Sequence, residues 1–266
     1  MFEEKDIEIN EYTDPEEIDL SSFDIQDELN DKIWIGSKMN PYVRKHLLLI
    51  AKDCIEDLEI EGIPIEDIIV TGSIANYNWN QEYSDIDLHI IVDFEKIDDN
   101  TDLLKKYFDS FRKNWNRKHE NLEILGFPVE LYIQDVNERH KSTGEFSVLD
   151  NKWLITPDIT NLQNDDLDDE YVKEHVSFFM NEIDDLVESY ENAGSDDDVA
   201  DILTKASDLF EKIKETRKSS LSTDDGSEMT EGNLIFKSLR RNGYMEKLIN
   251  LRTECYDSLY SLDDDE

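Results

Sequence analysis

The stretch that decides the fold is residues 68–94, which read IIVTGSIANYNWNQEYSDIDLHIIVDF. It predicts a strand, a turn at Gly72 and Ser73, a short helical or loop segment, and a second strand over residues 86–92. Side chains alternate between the two faces of a strand. One face of the second strand is therefore apolar, and the opposite face carries Asp85, Asp87 and His89.

The acidic face of this strand predicts a metal site. Asp85 and Asp87 are two residues apart, so their carboxylates point the same way and suit Mg²⁺, a hard cation that prefers oxygen ligands. Gly72 lets the backbone approach a phosphate closely, and the amide and hydroxyl of Ser73 can donate to it. A later alternating strand, residues 127–134, carries Glu130 opposite its apolar side chains. If the two strands pair, Glu130 completes a two-metal site.

A second interpretation of the same residues stays open. An Asp-x-Asp pattern is frequent by chance in so acidic a chain, and a half-exposed strand with solvated acids also explains it. The upstream Gly-Ser turn and the later strand acid favour the metal site.

Taken together, the Gly72-Ser73 turn, the Ser84-Asp85-Ile86-Asp87 run and the later Glu130 resemble the nucleotidyltransferase superfamily. Its members include DNA polymerase beta, polynucleotide and CCA-adding polymerases, aminoglycoside nucleotidyltransferases and small cytosolic or phage-encoded proteins. The resemblance covers residues 42–157. It implies that Asp85, Asp87 and Glu130 are catalytic metal ligands for two Mg²⁺ ions, and that Gly72, Ser73 and Ser84 bind the nucleotide phosphates.

The chain departs from the family pattern at one place. Many small members carry Arg-Gly shortly after the Gly-Ser, where this chain has Asn76 and Tyr77. A positively charged side chain that binds the phosphates must therefore come from elsewhere in the chain, or the site has none. Lys237 and Arg241, four residues apart on a predicted helix, are candidates for nucleotide binding because residues 205–252 hold ten bases and eight acids. Pairing with neighbouring acids is the alternative role of these two cations.

The pattern of elements predicts an α+β fold with a nucleotidyltransferase-like mixed β-sheet, flanking helices and a C-terminal α-helical domain. We expect four segments: an acidic arm at residues 1–40, a catalytic domain at 41–157, a helical domain at 158–262 and an acidic tail at 263–266. Residues 1–31 hold 13 acids and one base and are interpreted as extended or partly disordered. In the helical domain, Ser195 is predicted to cap a helix and residues 219–227 to form a polar link. Within the catalytic domain, helical periodicity predicts helices from Pro41 to Leu58 and over residues 101–119. The basic face of the second helix is interpreted as a solvated surface.

Composition limits the partners. The net charge of −39 disfavours duplex DNA and anionic membranes, because both repel an acidic surface. The N-terminal residues lack the pattern of a signal peptide, no apolar run is long enough to span a bilayer, and two cysteines do not indicate a disulfide framework. A cytoplasmic protein is expected.

These observations lead to two function hypotheses. The first is an enzyme of the EC 2.7.7 type that moves a nucleoside monophosphate from a magnesium-bound nucleoside triphosphate, with ATP expected, to a hydroxyl acceptor. A small molecule, an RNA end and a protein side chain all remain open as that acceptor. The second is a non-catalytic acidic interaction protein that mimics nucleic acid on a degenerate nucleotidyltransferase fold. The acid-rich segments outside the motif favour the second, and the Gly-Ser turn with three aligned acids favours the first.

Overall fold

The computed structural model describes residues 12–60, 62–138, 142–162, 167–221 and 229–262. They divide into two compact units. The sheet unit contains the described residues between 21 and 162, and the helical unit contains residues 12–20, 167–221 and 229–262. The segment expected as an acidic arm is therefore shared, with residues 12–20 in the helical unit and residues 21–40 in the sheet unit.

The sheet unit contains eight strands within its described residues. They are β1 (Trp34–Ile35), β2 (Lys38–Met39), β3 (Ile65–Thr71), β4 (Ile86–Val92), β5 (Glu123–Ile124), β6 (Phe127–Asp135), β7 (Glu145–Ser147) and β8 (Lys152–Ile155). The first two form a small hairpin, and the other six form one mixed sheet in the order β5-β6-β4-β3-β7-β8. β4 pairs antiparallel with β3 and parallel with β6. The α+β fold predicted from the sequence is confirmed.

Alternation on the neighbouring strands β4 and β6 places the core on one face of the sheet. Ile86, Leu88, Ile90 and Val92 of β4 are almost completely buried, as are their β6 neighbours on the same face. Helix α1 (Pro41–Asp57) contributes one buried row to this core. It begins where predicted, because the Asn40 side chain accepts the Tyr42 N–H and Pro41 occupies the first turn.

Helix α2 (Thr101–Lys118) covers the edge of β6 that β5 leaves open. Asn100 caps the helix by accepting the Leu103 N–H, and Phe108 and Trp115 are buried in the core. At this open edge, the side-chain amide of Asn116 makes the two backbone hydrogen bonds that a neighbouring strand would otherwise make. It accepts the Leu131 N–H and donates to the Leu131 carbonyl, each at 3.1 Å. This pair of bonds fixes α2 against β6 and places the preceding turn of the helix near the acidic face.

The helical unit contains four helices within its described residues: α3 (Asp169–Glu191), α4 (Asp196–Ser220), α5 (Glu231–Arg241) and α6 (Tyr244–Tyr260). Ser195 caps α4 as predicted, accepting the Asp198 N–H while its hydroxyl donates to the Asp198 carboxylate. Gly243, with φ of 77°, separates α5 from α6. The predicted C-terminal helical region is confirmed, and no described helix is both long and apolar enough to cross a membrane.

Residues 12–31 are more structured than their composition indicates. They include two short 3-10 helices, Pro15–Glu17 and Ser21–Phe23, and they bury Ile18 and Phe23. In the sheet unit, the Trp79 indole donates to the Glu28 carbonyl at 2.8 Å. A few buried apolar residues and backbone bonds therefore hold a segment that its charge alone indicated to be extended or partly disordered. Residues 1–11, most of the polar link expected at 219–227, and the tail at 263–266 lie outside the described residues.

Replacing Asn116 tests its role as a substitute strand. We expect Asn116→Ala to lower the free energy of unfolding by about 1–3 kcal/mol, because Leu131 is fully buried and its N–H and carbonyl lose their partner. Urea denaturation measures the change. Asn114→Ala, an exposed position on the same helix, is the matched control. Equal stability of the two variants would contradict the role given to Asn116.

Candidate metal centre

Three carboxylates meet at one end of the β4 and β6 pair. Asp85 directly precedes β4, Asp87 is its second residue, and Glu130 lies opposite Asp87 in the parallel register. One carboxylate oxygen from each lies within 4.8 Å of the others, and all three side chains are half-buried. The strand pairing that the sequence left as a condition is therefore present, and it brings the three predicted acids together.

Gly72 is required here for a steric reason that the sequence does not show. It follows β3 with φ of 75° and ψ of −162°, a conformation that is essentially confined to glycine. A Cβ atom at this position would lie 2.0 Å from Oδ2 of Asp87. The backbone of the turn therefore passes directly against the Asp87 carboxylate, and glycine makes that approach possible.

The two serines predicted to bind phosphate lie together beside this turn. Ser73 begins a short 3-10 helix, Ser73–Ala75, and its Oγ lies 2.8 Å from Oγ of the buried Ser84. The Ser84 hydroxyl also accepts the Asn80 N–H at 2.9 Å. Ser84 thus connects the loop before β4 to the Gly72 turn and positions Ser73.

A column of side chains continues the acidic face away from the carboxylates. Tyr132 follows Glu130 on that face of β6, and its ring stacks on His89 with centroids 4.5 Å apart and planes 10° apart. His89 Nδ1 and Gln134 Oε1 are 2.9 Å apart. His89 therefore lies between the Tyr132 ring, on which it stacks, and the Gln134 amide, to which it is hydrogen-bonded.

The environment of Tyr132 keeps its phenol protonated. Burial raises the pKa of Tyr132, and the charges of Asp87 and Glu130, a hydrogen bond to Glu130 and the charge of Asp85 raise it further. A protonated phenol can donate to a carboxylate. Tyr132 is thus a hydrogen-bond donor for the Glu130 carboxylate. The sequence contains a signal for Tyr132: it lies two residues after Glu130, so strand alternation places both side chains on the same face.

Arg112 is the site residue that sequence reasoning missed. Its guanidinium lies 4.6 Å from the centroid of the Tyr132 ring, and Nη1 lies 3.8 Å from Oε1 of Glu130. Nε donates to Asp109 on the same helix at 3.3 Å. The Arg112 side chain is only 22% solvent-exposed. The basic face of α2 was interpreted as a solvated surface, and Arg112 does not fit that interpretation.

The other two predicted nucleotide-binding residues lie elsewhere in the chain. Lys237 and Arg241 are half-buried on α5, in the helical unit. Their assignment to nucleotide binding stays a prediction.

The donor set fits a hard divalent cation. Mg²⁺ binds oxygen at about 2.1 Å, so two oxygens on opposite sides of one ion are about 4.2 Å apart. The ligand oxygens of Asp85, Asp87 and Glu130 all lie within 4.8 Å of one another, which is near this limit. Small side-chain rotations would bring these oxygens onto one divalent cation.

Comparison with known proteins agrees with this geometry. Residues 50–152 match the family model described as a nucleotidyltransferase domain. The matched span includes Gly72, Ser73, Ser84 and all three carboxylates, and it is less than half of the chain. No curated protein and no solved structure matches the chain significantly. The family match supports nucleotidyl transfer in general terms and names neither the nucleotide nor the acceptor.

Substitution of Gly72 tests the close approach to Asp87. We expect Gly72→Ala to weaken Mn²⁺ binding at least about tenfold and to cost about 1–3 kcal/mol of stability, since the new Cβ displaces the Asp87 carboxylate and strains the backbone. Titration calorimetry and urea denaturation measure the two effects.

Gly36→Ala is the matched control for this substitution. Gly36 also has a positive φ, of 61°, but no heavy atom lies within 4 Å of its Cβ position. It therefore carries a backbone cost without touching a carboxylate. If both variants bound Mn²⁺ like the wild type, the proximity of Gly72 to Asp87 would have no importance for the site.

Proposed function

Since the chain carries a nucleotidyltransferase domain, we propose that it transfers a nucleoside monophosphate from a magnesium-bound nucleoside triphosphate to a hydroxyl acceptor. ATP is the proposed nucleotide, and the cytoplasm the proposed location. The observation that carries the proposal is the convergence of Asp85, Asp87 and Glu130 beside the Gly72 turn. Solvated acids need no common face, and they need no glycine held against one of them.

The roles of the residues follow from their positions. Asp85 and Asp87 hold the metal-bound triphosphate, while the Ser73 hydroxyl, positioned by Ser84, donates to its phosphates. Glu130 lies on the side of Tyr132 and Arg112, where the acceptor is placed. Two Mg²⁺ ions, when bound, neutralise charge on the phosphates and lower the pKa of the acceptor hydroxyl. The acceptor hydroxyl releases its proton to solvent as its oxygen forms a bond to the α-phosphorus. The bond between the α-phosphorus and the α,β-bridging oxygen breaks, and pyrophosphate leaves with that oxygen.

Calorimetric titration of each nucleoside triphosphate with Mg²⁺ tests this proposal. We expect metal-dependent binding of ATP by the wild type, and a loss of at least about tenfold in affinity in the Asp85→Asn, Asp87→Asn double variant, because two anionic ligands are removed. Omission of Mg²⁺ should abolish binding by the wild type.

The control variant removes the same charge elsewhere in the sheet unit. Asp53 and Asp99 are both exposed, and Asp53→Asn with Asp99→Asn should leave ATP binding unchanged. Binding that survives in the Asp85, Asp87 variant would refute the metal site. Absence of binding by the wild type for every nucleotide would instead favour an acidic interaction protein.

A further inference from the structure

Helix α2 is a cationic element in an acidic protein. Its 18 residues include six Lys or Arg and only two Asp, whereas the whole chain has a net charge of −39. Asp and Glu outnumber Lys and Arg by 66 to 27, so surface cations are expected to find carboxylate partners. Lys105 and Lys118 do so, with Glu138 and Asp57 respectively.

Three exposed cations of the same helix make no such pair. Among the residues that the structure describes, no carboxylate lies within ion-pair distance of Lys106, Lys113 or Arg117. Lys113 and Arg117 are one turn apart and share a face, with about 6 Å of helix rise between them. Attraction to the helix dipole accounts for Arg117 in the last turn. It does not account for Lys113, which lies further from the end.

Arg112 is the cation of α2 that contacts the carboxylate site. It directly precedes Lys113, about 100° away around the helix, and its guanidinium lies against the Tyr132 ring and near Glu130. A guanidinium has five N–H donors, and within the described residues only Nε of Arg112 makes a hydrogen bond, to Asp109. Donors on Nη1 and Nη2 therefore remain for a ligand beside Glu130.

The exposed side of α2 also has a groove with aromatic walls. Its lining includes Lys113, Arg117, Tyr107 and Phe111. Cations bind phosphate oxygens, and aromatic side chains beside them provide surfaces for a sugar or a base.

We propose that Arg112, Lys113 and Arg117 bind an acceptor that carries phosphate groups, and that its reactive hydroxyl lies at Glu130. This inference rests on the proposed function and adds the chemical class of the acceptor. The surrounding negative charge repels long polyanions, so binding is confined to the few phosphates that this surface contacts. A short nucleic-acid end and a phosphorylated sugar share this chemistry.

Fluorescence anisotropy with a 5′-labelled RNA of about ten nucleotides and a free 3′-hydroxyl tests the inference in the presence of Mg²⁺. We expect salt-sensitive binding by the wild type. Lys113→Ala with Arg117→Ala should weaken it about tenfold or more and reduce the salt slope by about 1.4, which corresponds to two lost phosphate contacts on a single strand. Arg112→Gln should also weaken it. Ribose 5-phosphate, but not ribose, should compete with the RNA.

Lys45→Ala with Lys52→Ala is the matched control, because both lysines are exposed on α1 of the same unit and the charge change is equal. It should bind the RNA within about twofold of the wild type. Binding of ribose 5-phosphate without RNA, measured by calorimetry, would assign the surface to a small phosphate ester. Equal binding by the wild type and the Lys113, Arg117 variant, or no binding of either probe to the wild type, would overturn the inference. MgATP titration of the wild type reports separately on the proposed function.

Discussion

The parallel pairing of β4 with β6 is the interaction on which the rest of the site depends. Its register puts Asp87 opposite Glu130, and a slip of one residue would turn Glu130 into the core and Leu131 onto the acidic face. Both faces of the sheet oppose such a slip. Leu131 is fully buried on one face, and Tyr132 stacks on His89 on the other. Hydrophobic burial thus fixes the position of a charged group.

The antiparallel pairing of β3 with β4 adds the second constraint. Thr71 lies opposite Asp87, so the turn that follows must pass the carboxylate at close range. A Cβ atom there would force the Asp87 carboxylate to move. The result is a group of three acids whose mutual repulsion is partly offset by Arg112 and by the protonated Tyr132. The negative charge that remains on the three carboxylates attracts cations, and a divalent cation bound there would neutralise it.

Local patterns in the sequence predicted most of the fold. Alternation identified β4, β6 and the acids on their shared face, and helical periodicity identified α1, α2 and the helices after residue 158. The prediction that Glu130 joins Asp85 and Asp87 depended on the pairing of β4 with β6. The pattern within one strand does not specify which strand lies beside it. Residues 12–31 were misjudged because their charge outweighs the few apolar residues, Ile18 and Phe23, that are buried.

The contacts that no local pattern predicts are those made across elements. Arg112 reaches Glu130 because Asn116 fixes α2 to the open edge of β6, and no helical pattern contains that information. Gly72 was predicted to belong to the site through its ability to let the backbone approach a phosphate. Its closest neighbour in the structure is Asp87, and that contact depends on the β3 and β4 register.

The most direct test of the account is the position of metal in the nucleotide-bound protein. Crystals grown with Mn²⁺ and a non-hydrolysable ATP analogue should show anomalous peaks about 2.1 Å from oxygens of Asp85 and Asp87. A second peak beside Glu130, about 3.5–4 Å from the first, is expected for a two-metal site. Analogue bound in the crystal with no anomalous peak at these three carboxylates would contradict the account.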